Sequence, residues 1–125
     1  MLPDILVPVP IHNASLQTRG FNQSAIIAQE LGKRLELPVE EEVIIKSRQT
    51  ESQMKLSGKA RETNVCGAFN VVESAQGVSV AIVDDVITSG ATVKEVCKTM
   101  RLSGYDQLSV WAIAKTIIDL SLIHI

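Results

Sequence analysis

At 125 residues the chain can bury one hydrophobic core and has little left for a second module. Hydrophobic residues at 46% and charged residues at 21% exclude a disordered chain, and a formal net charge of -2 excludes nucleic-acid binding driven by a general basic field. Cys66 and Cys97 lie far apart with no C-x-x-C pair, which argues against a zinc site or a redox pair and for two reduced thiols. No charged-then-apolar leader and no apolar run of membrane-spanning length is visible, so the expectation is a cytoplasmic protein without a membrane partner.

Aromatics are 3%, so the core must come from Val, Ile, Leu and Ala, which favours strands and helices alternating around a buried parallel sheet. Ile5 to Val9 reads as a short buried strand closed by Pro8 and Pro10. Residues 11–20 read as a polar turn. A helix is predicted from Asn22, its N-cap, with Ile27, Leu31 and Leu35 on one face and Pro38 as its stop. Val43 to Ile45 is a second strand. Residues 46–67 show weak periodicity and hold five of the 12 Lys and Arg residues: Lys46, Arg48, Lys55, Lys59 and Arg61. Such a segment is either a functional loop or a solvated connector with one short helix. Ala68 to Val72 is a third strand, and Val78 to Val83, the most apolar, a fourth at the sheet centre. Residues 92–103 form a helix on the spacing of Val93, Val96, Cys97 and Met100, with Gly104 just beyond its end. Leu108 to Ala114 is the fifth strand. Alternation of this kind implies right-handed crossovers and an α/β fold of about five mainly parallel strands.

The segment VAIVDDVITSGAT, residues 80–92, carries the chemistry. In a parallel sheet, ligands bind beyond the carboxyl ends of the strands, and Asp84 and Asp85 stand at that end of the fourth strand. Thr88, Ser89, Gly90, Ala91 and Thr92 open the next helix, where free N–H groups favour an anion and small side chains let a phosphate approach. The carboxylates want hydrogen-bond donors or a cation. A ligand with a phosphate at one end and vicinal hydroxyls nearby, such as ribose 5-phosphate, satisfies both. A nucleotidase-type magnesium site is a rival. A P-loop is not: Gly58-Lys59-Ala60 lacks the earlier glycine and the hydroxyl. A purely structural strand-turn-helix is the third alternative.

This stretch resembles the signature of type I phosphoribosyltransferases. VPVPIH at 7–12, RGFNQ at 19–23, the spacing of Arg48, Thr50 and Gln53, and R-x-x-N-x-x-G-A-F from Arg61 to Phe69 resemble the ComF-type (GntX-type) amidophosphoribosyltransferase-like family, over roughly residues 4–115. The resemblance implies a Rossmann-like type I phosphoribosyltransferase fold for residues 1–116, with residues 117–125 an unassigned tail. It implies that Asp84 and Asp85 hold the ribose hydroxyls of phosphoribosyl pyrophosphate and that residues 88–92 wrap its 5′-phosphate. Pro10, Ile11 and His12 would lie by the pyrophosphate, and 46–67 would be a flexible loop bringing Lys59 or Arg61 to the leaving group. Mg²⁺ would arrive with the pyrophosphate, and no metal would be resident on the protein. The reaction implied is transfer of phosphoribose to or from a nitrogenous acceptor, linked to competence and DNA uptake and to protein partners there. The alternative is a non-catalytic module sensing phosphoribosyl pyrophosphate or a nucleotide. Met1 to Asp4 enter a strand-like run almost at once and TIIDLSLIHI is apolar without clear periodicity, which reads as a fragment or a truncated form. Family members usually carry an N-terminal four-cysteine zinc ribbon, and this sequence shows no such cysteines. Ser89 stands where many phosphoribosyltransferases have Thr or Gly.

Overall fold

The computed structural model describes residues 2–51, 56–85, 90–113 and 122–124. Strand β1 is Ile5–Pro8, β4 is Ser79–Asp84 and β5 is Gln107–Ile113. β4 lies between the other two and pairs parallel with both, Val7 opposite Ile82 and Ile82 opposite Val110. The apolar run 80–83 is therefore the centre of the sheet, as its composition requires. Val80 and Ile82 face one core and Ala81 and Val83 the other, and all four are fully buried. Burial on both faces explains why the strand reads as a continuous apolar run without alternation.

Helix α2, Gln23–Leu35, covers one face, packing Ala28 and the flanking Ile27, Leu31 and Leu35 against Leu6, Ala81, Val83 and Trp111. Asn22 is its N-cap, accepting the Ala25 N–H at 3.3 Å, and its amide also donates to the Val9 carbonyl at 3.2 Å. One side chain thus starts the helix and ties it to the end of β1. Helix α4, Ala91–Leu102, covers the other face with Val93, Val96, Cys97 and Met100. Beyond α2, Leu6 N–H donates to Pro38 O and Glu40 N–H to Leu6 O, so residues 38–40 run along the outer edge of β1.

Three segments depart from the sequence expectation. Residues 11–20 are not a plain turn: Asn13–Arg19 form a short helix, α1, capped by His12 Nδ1 and closed by Gly20 at φ 81°. No residue of α1 is buried, so no apolar stripe announces it. The second and third strands, β2 (Ile44–Lys46) and β3 (Phe69–Val71), pair antiparallel with each other in a separate ladder. The chain between them carries helix α3, Gly58–Val65, which packs on α4 and does not cross over a sheet face to set up a parallel pair. The parallel core is accordingly three strands. Lastly β6, Leu122–His124, lies in the unassigned tail and pairs antiparallel with β5.

Arg48 organises the excursion between β2 and β3. Its guanidinium donates to the carbonyls of Asn64 and Cys66, both at 2.8 Å, while Asn64 and Glu51 exchange amide and backbone hydrogen bonds. Arg48 and Asn64 in the two motifs thus bind the two ends of this segment together. Gln53 and Lys55 lie outside the described residues.

Candidate active site

Three chain segments meet at the carboxyl end of the sheet. They are the turn after β1, the start of α2 and the end of β4 at Asp84 and Asp85. Val9 N–H donates to Val83 O at 2.9 Å, which locks the first of these against the end of β4. Asp84 closes β4 and is only 8% exposed. Its Oδ1 accepts the Asp85 N–H at 2.9 Å and the Ser24 hydroxyl at 3.3 Å, the latter from the second residue of α2. Burial, then the hydrogen bond and charge of adjacent Asp85, push the Asp84 carboxyl up to about 7, against the Asp85 amide and the Ser24 hydroxyl, which favour its charged form. Two carboxyls share one turn, and one of them sits near its titration point at neutral pH. Such a site gains from a cation or from hydroxyl donors.

Past this pair, Gly90 sits at φ 82° as the residue preceding α4. A Cβ there would find open space apart from the Lys94 stem at 3.9 Å, so the left-handed backbone, not crowding, calls for glycine. Ala91 is buried and Thr92 half-buried in the first turn of α4. Thr88 and Ser89 lie outside the described residues. Lys59 is exposed and Arg61 half-buried on α3, which packs against α4.

Pro10, Ile11 and His12 follow β1 and line a cavity of about 1240 Å³ between α2 and β2. His12 Nδ1 accepts the Ala14 N–H at 3.1 Å, so the neutral ring carries its proton on Nε2. Asp84, Asp85 and Thr92 do not line this cavity. The structure therefore groups Asp84, Asp85 and the start of α4 at the end of β4, with Pro10 to His12 on the neighbouring turn at the cavity mouth. Sequence reasoning missed Ser24, although it directly follows the RGFNQ motif. It also missed the role of Arg48 as a clamp.

Comparison with known proteins fits this geometry. The model of the phosphoribosyl transferase domain matches residues 14–114. This chain belongs to that family. Among its relatives, Competence protein F of Haemophilus influenzae is 34% identical over 117 residues, covering 91% of this chain and 51% of the relative. DNA utilization protein YhgH of Escherichia coli K12 is 35% identical over 116 residues, covering 93% of this chain and 51% of the relative. Competence protein ComFC of Bacillus subtilis is 28% identical over 89 residues, covering 71% of this chain and 35% of the relative. These names agree with the ComF-type resemblance. The chain spans about half the length of the first two, 51% in each case. A purine phosphoribosyltransferase from Pyrococcus horikoshii has the same fold, with a TM-score of 0.54, 16% identity, and coverage of 89% of this chain and 61% of that one. No helix among the described residues is long and apolar enough to cross a membrane.

Proposed function

We propose that this phosphoribosyltransferase-family domain binds Mg²⁺-phosphoribosyl pyrophosphate and moves phosphoribose to or from a nitrogenous acceptor, in a cytoplasmic process serving the use of DNA. The observation that carries the reading is the Asp84–Asp85 pair. A buried carboxyl raised to about 7 stands at the carboxyl end of the central strand, ahead in the chain of the glycine-led start of α4. Asp84 and Asp85 accept hydrogen bonds from the two ribose hydroxyls. The N–H groups at the start of α4, with the hydroxyls of Thr88, Ser89 and Thr92, hold the 5′-phosphate. Pro10, Ile11 and His12 lie beside the diphosphate, and closure of the 46–67 segment brings Lys59 or Arg61 to it.

In the reaction the bond from C1 to the diphosphate oxygen breaks with its electron pair on the leaving group, while the acceptor nitrogen supplies a pair to C1. The protein lowers the barrier by holding the sugar in line and by neutralising charge as it builds on the diphosphate. Mg²⁺ would arrive bound to the diphosphate, leaving Asp84 and Asp85 to the ribose hydroxyls. That ion would supply charge neutralisation of the leaving group.

The test is pyrophosphate release from Mg²⁺-phosphoribosyl pyrophosphate with a panel of bases and amines. The expected result is acceptor-dependent release that falls by at least about a hundredfold in the Asp84→Asn/Asp85→Asn variant. Release that is equal in both proteins overturns the assignment. Tight binding without release by any acceptor points to the sensing module.

A further inference from the structure

The proposed chemistry uses neither the motif RGFNQ, residues 19–23, nor Ser24 directly after it. Helix α2 begins inside this stretch. Its buried residues are Ser24, Ala25, Ala28 and Gly32, all small. With no bulk on that face α2 lies close against β1 and β4, where Ala28 packs with Ala81 and Val83. A side chain as short as serine then reaches the end of β4. Packing alone would be met by alanine there, as at 25 and 28, without burying a hydroxyl. Among the described residues Ser24 and Asp84 are the two buried polar or charged side chains, and they bond each other.

Three hydrogen bonds close a frame around that point. Val9 N–H donates to Val83 O at 2.9 Å, and Asn22 Nδ2 donates to Val9 O at 3.2 Å. Ser24 Oγ donates to Asp84 Oδ1 at 3.3 Å. The turn after β1, the start of α2 and the end of β4 are thus tied pairwise. Of the three bonds, only that of Ser24 ends on a side chain of the proposed site. Both donors to Asp84, Ser24 Oγ and Asp85 N–H, meet the same oxygen, Oδ1, and neither reaches Oδ2. The Asp85 N–H is a neighbour in the chain and follows Asp84 wherever it goes. The Ser24 bond spans 60 residues and fixes the carboxylate in the frame of the fold.

We propose that Ser24 is a positioning residue of the phosphoribose site: by holding Asp84 Oδ1 it aims Oδ2 at one ribose hydroxyl, and so makes the site select ribose over the sugar that lacks that hydroxyl. The inference rests on the phosphoribose reading above. Ser24 touches no substrate and acts through Asp84, while Asp85 reads the neighbouring hydroxyl with its own carboxylate. At 3.3 Å the Ser24 bond is long for a hydroxyl donor, and bonds of this kind at working sites shorten when the ligand arrives. Its loss is therefore felt in the complex more than in the free protein.

Calorimetric titration of the native protein and Ser24→Ala with ribose 5-phosphate, 2-deoxyribose 5-phosphate and 3-deoxyribose 5-phosphate tests this. Alanine suits the buried face of α2, so the variant is expected to fold. The native protein should bind ribose 5-phosphate at least about tenfold more tightly than either deoxy sugar, since each lacks a hydrogen bond to a charged group. In Ser24→Ala one of these two preferences should fall by about fivefold or more, and the other should stay within about twofold. A second readout is pH. Asp84 accepts a hydroxyl best when charged, so the preference it supplies should rise through its titration, at about 7 in the native protein. The midpoint should move upward in Ser24→Ala, which lacks a donor to the charged form. Taking the ratio of two sugars cancels the phosphate ionisation at about 6 that they share. Against Asp84 stand the Ser24 hydroxyl from α2, Ala112 on β5 and the uncharged Ile5–Pro8 of β1, so adjacent Asp85 is the titratable group that faces it. A native protein that binds all three sugars equally, or none at millimolar concentration, overturns the phosphoribose reading and this inference with it. A native preference left unchanged in Ser24→Ala, in size and in pH midpoint, overturns the role of Ser24 alone. So does a variant weakened by one common factor for all three sugars, which would mark a merely structural loss.

Discussion

Asp84 and Lys46 are both charged groups drawn part-way out of water, and the fold treats them differently. Asp84 is enclosed by the central strand and by α2, with two hydrogen bonds supplied to one oxygen and a second acid beside it. Lys46 stands in a cavity wall, with a hydroxyl, a ring and two arginines near it. Both are pushed toward their neutral forms, the acid upward and the lysine downward. The acid is built into a rigid frame on which partners converge, whereas the lysine borders open space.

The largest expected effect is on stability at Asp84. Its folded value, about 7, lies above the ordinary 3.8, so the folded protein holds a proton that the unfolded chain gives up. That contribution is complete below about pH 4 and is lost as pH rises through about 7. Asp84→Asn removes the buried charge, so the variant should match the native protein near pH 4 and exceed it by about 2–4 kcal/mol at pH 8. Urea unfolding at both pH values measures this. A variant that is less stable at pH 8 than the native protein would mean that Asp84 is not penalised by burial.

Next in size is a change beneath the cavity. A Cβ on Gly32 would meet Val39 Cγ2 at 2.6 Å and the Leu37 carbonyl oxygen at 2.7 Å. Gly32→Ala should therefore push residues 37–39 off α2 and cost about 1–3 kcal/mol, while the titration of Asp84 stays as it is. Thermal unfolding followed at several pH values separates the two regions. Equal disturbance of both would show that they are one mechanical unit.

Ser24→Ala is a smaller change aimed at the acid alone. It should cost about 1 kcal/mol and move the pH midpoint of the stability curve upward, because a donor to the charged carboxylate is lost. Lys46→Met comes last. Part of the lysine is in water, so screening reduces the gain, and the variant should be more stable at pH 7 by less than about 1 kcal/mol. A loss of stability there would mean that the ammonium is well paired.

The sequence was most readable where one local force decides. Residues 80–83 could only be a strand buried on both faces, and Asn22 and the stripe of Ile27, Leu31 and Leu35 announced α2. The aspartates and Gly90 were visible because two acids at a strand end and a glycine before a helix each need a reason. What stayed hidden depends on contacts distant in the chain or on no packing at all. α1 buries nothing and so leaves no periodicity. Three-residue strands such as β2 and β3 carry too little pattern to reveal their partner or direction. Ser24 reaches Asp84 across 60 residues, and Lys46 became notable only when Arg19 and Phe69 were found around it.

The central claim is that Asp84, Asp85 and the start of α4 form a phosphoribose site. Calorimetric titration of Mg²⁺-phosphoribosyl pyrophosphate into the native protein and into Asp84→Asn/Asp85→Asn tests it most directly, with folding of the variant checked by its thermal transition. The account predicts saturable one-site binding to the native protein, weakened by at least about a hundredfold in the variant, since two hydrogen-bonded carboxylates are lost. Equal affinity in the two proteins would contradict it.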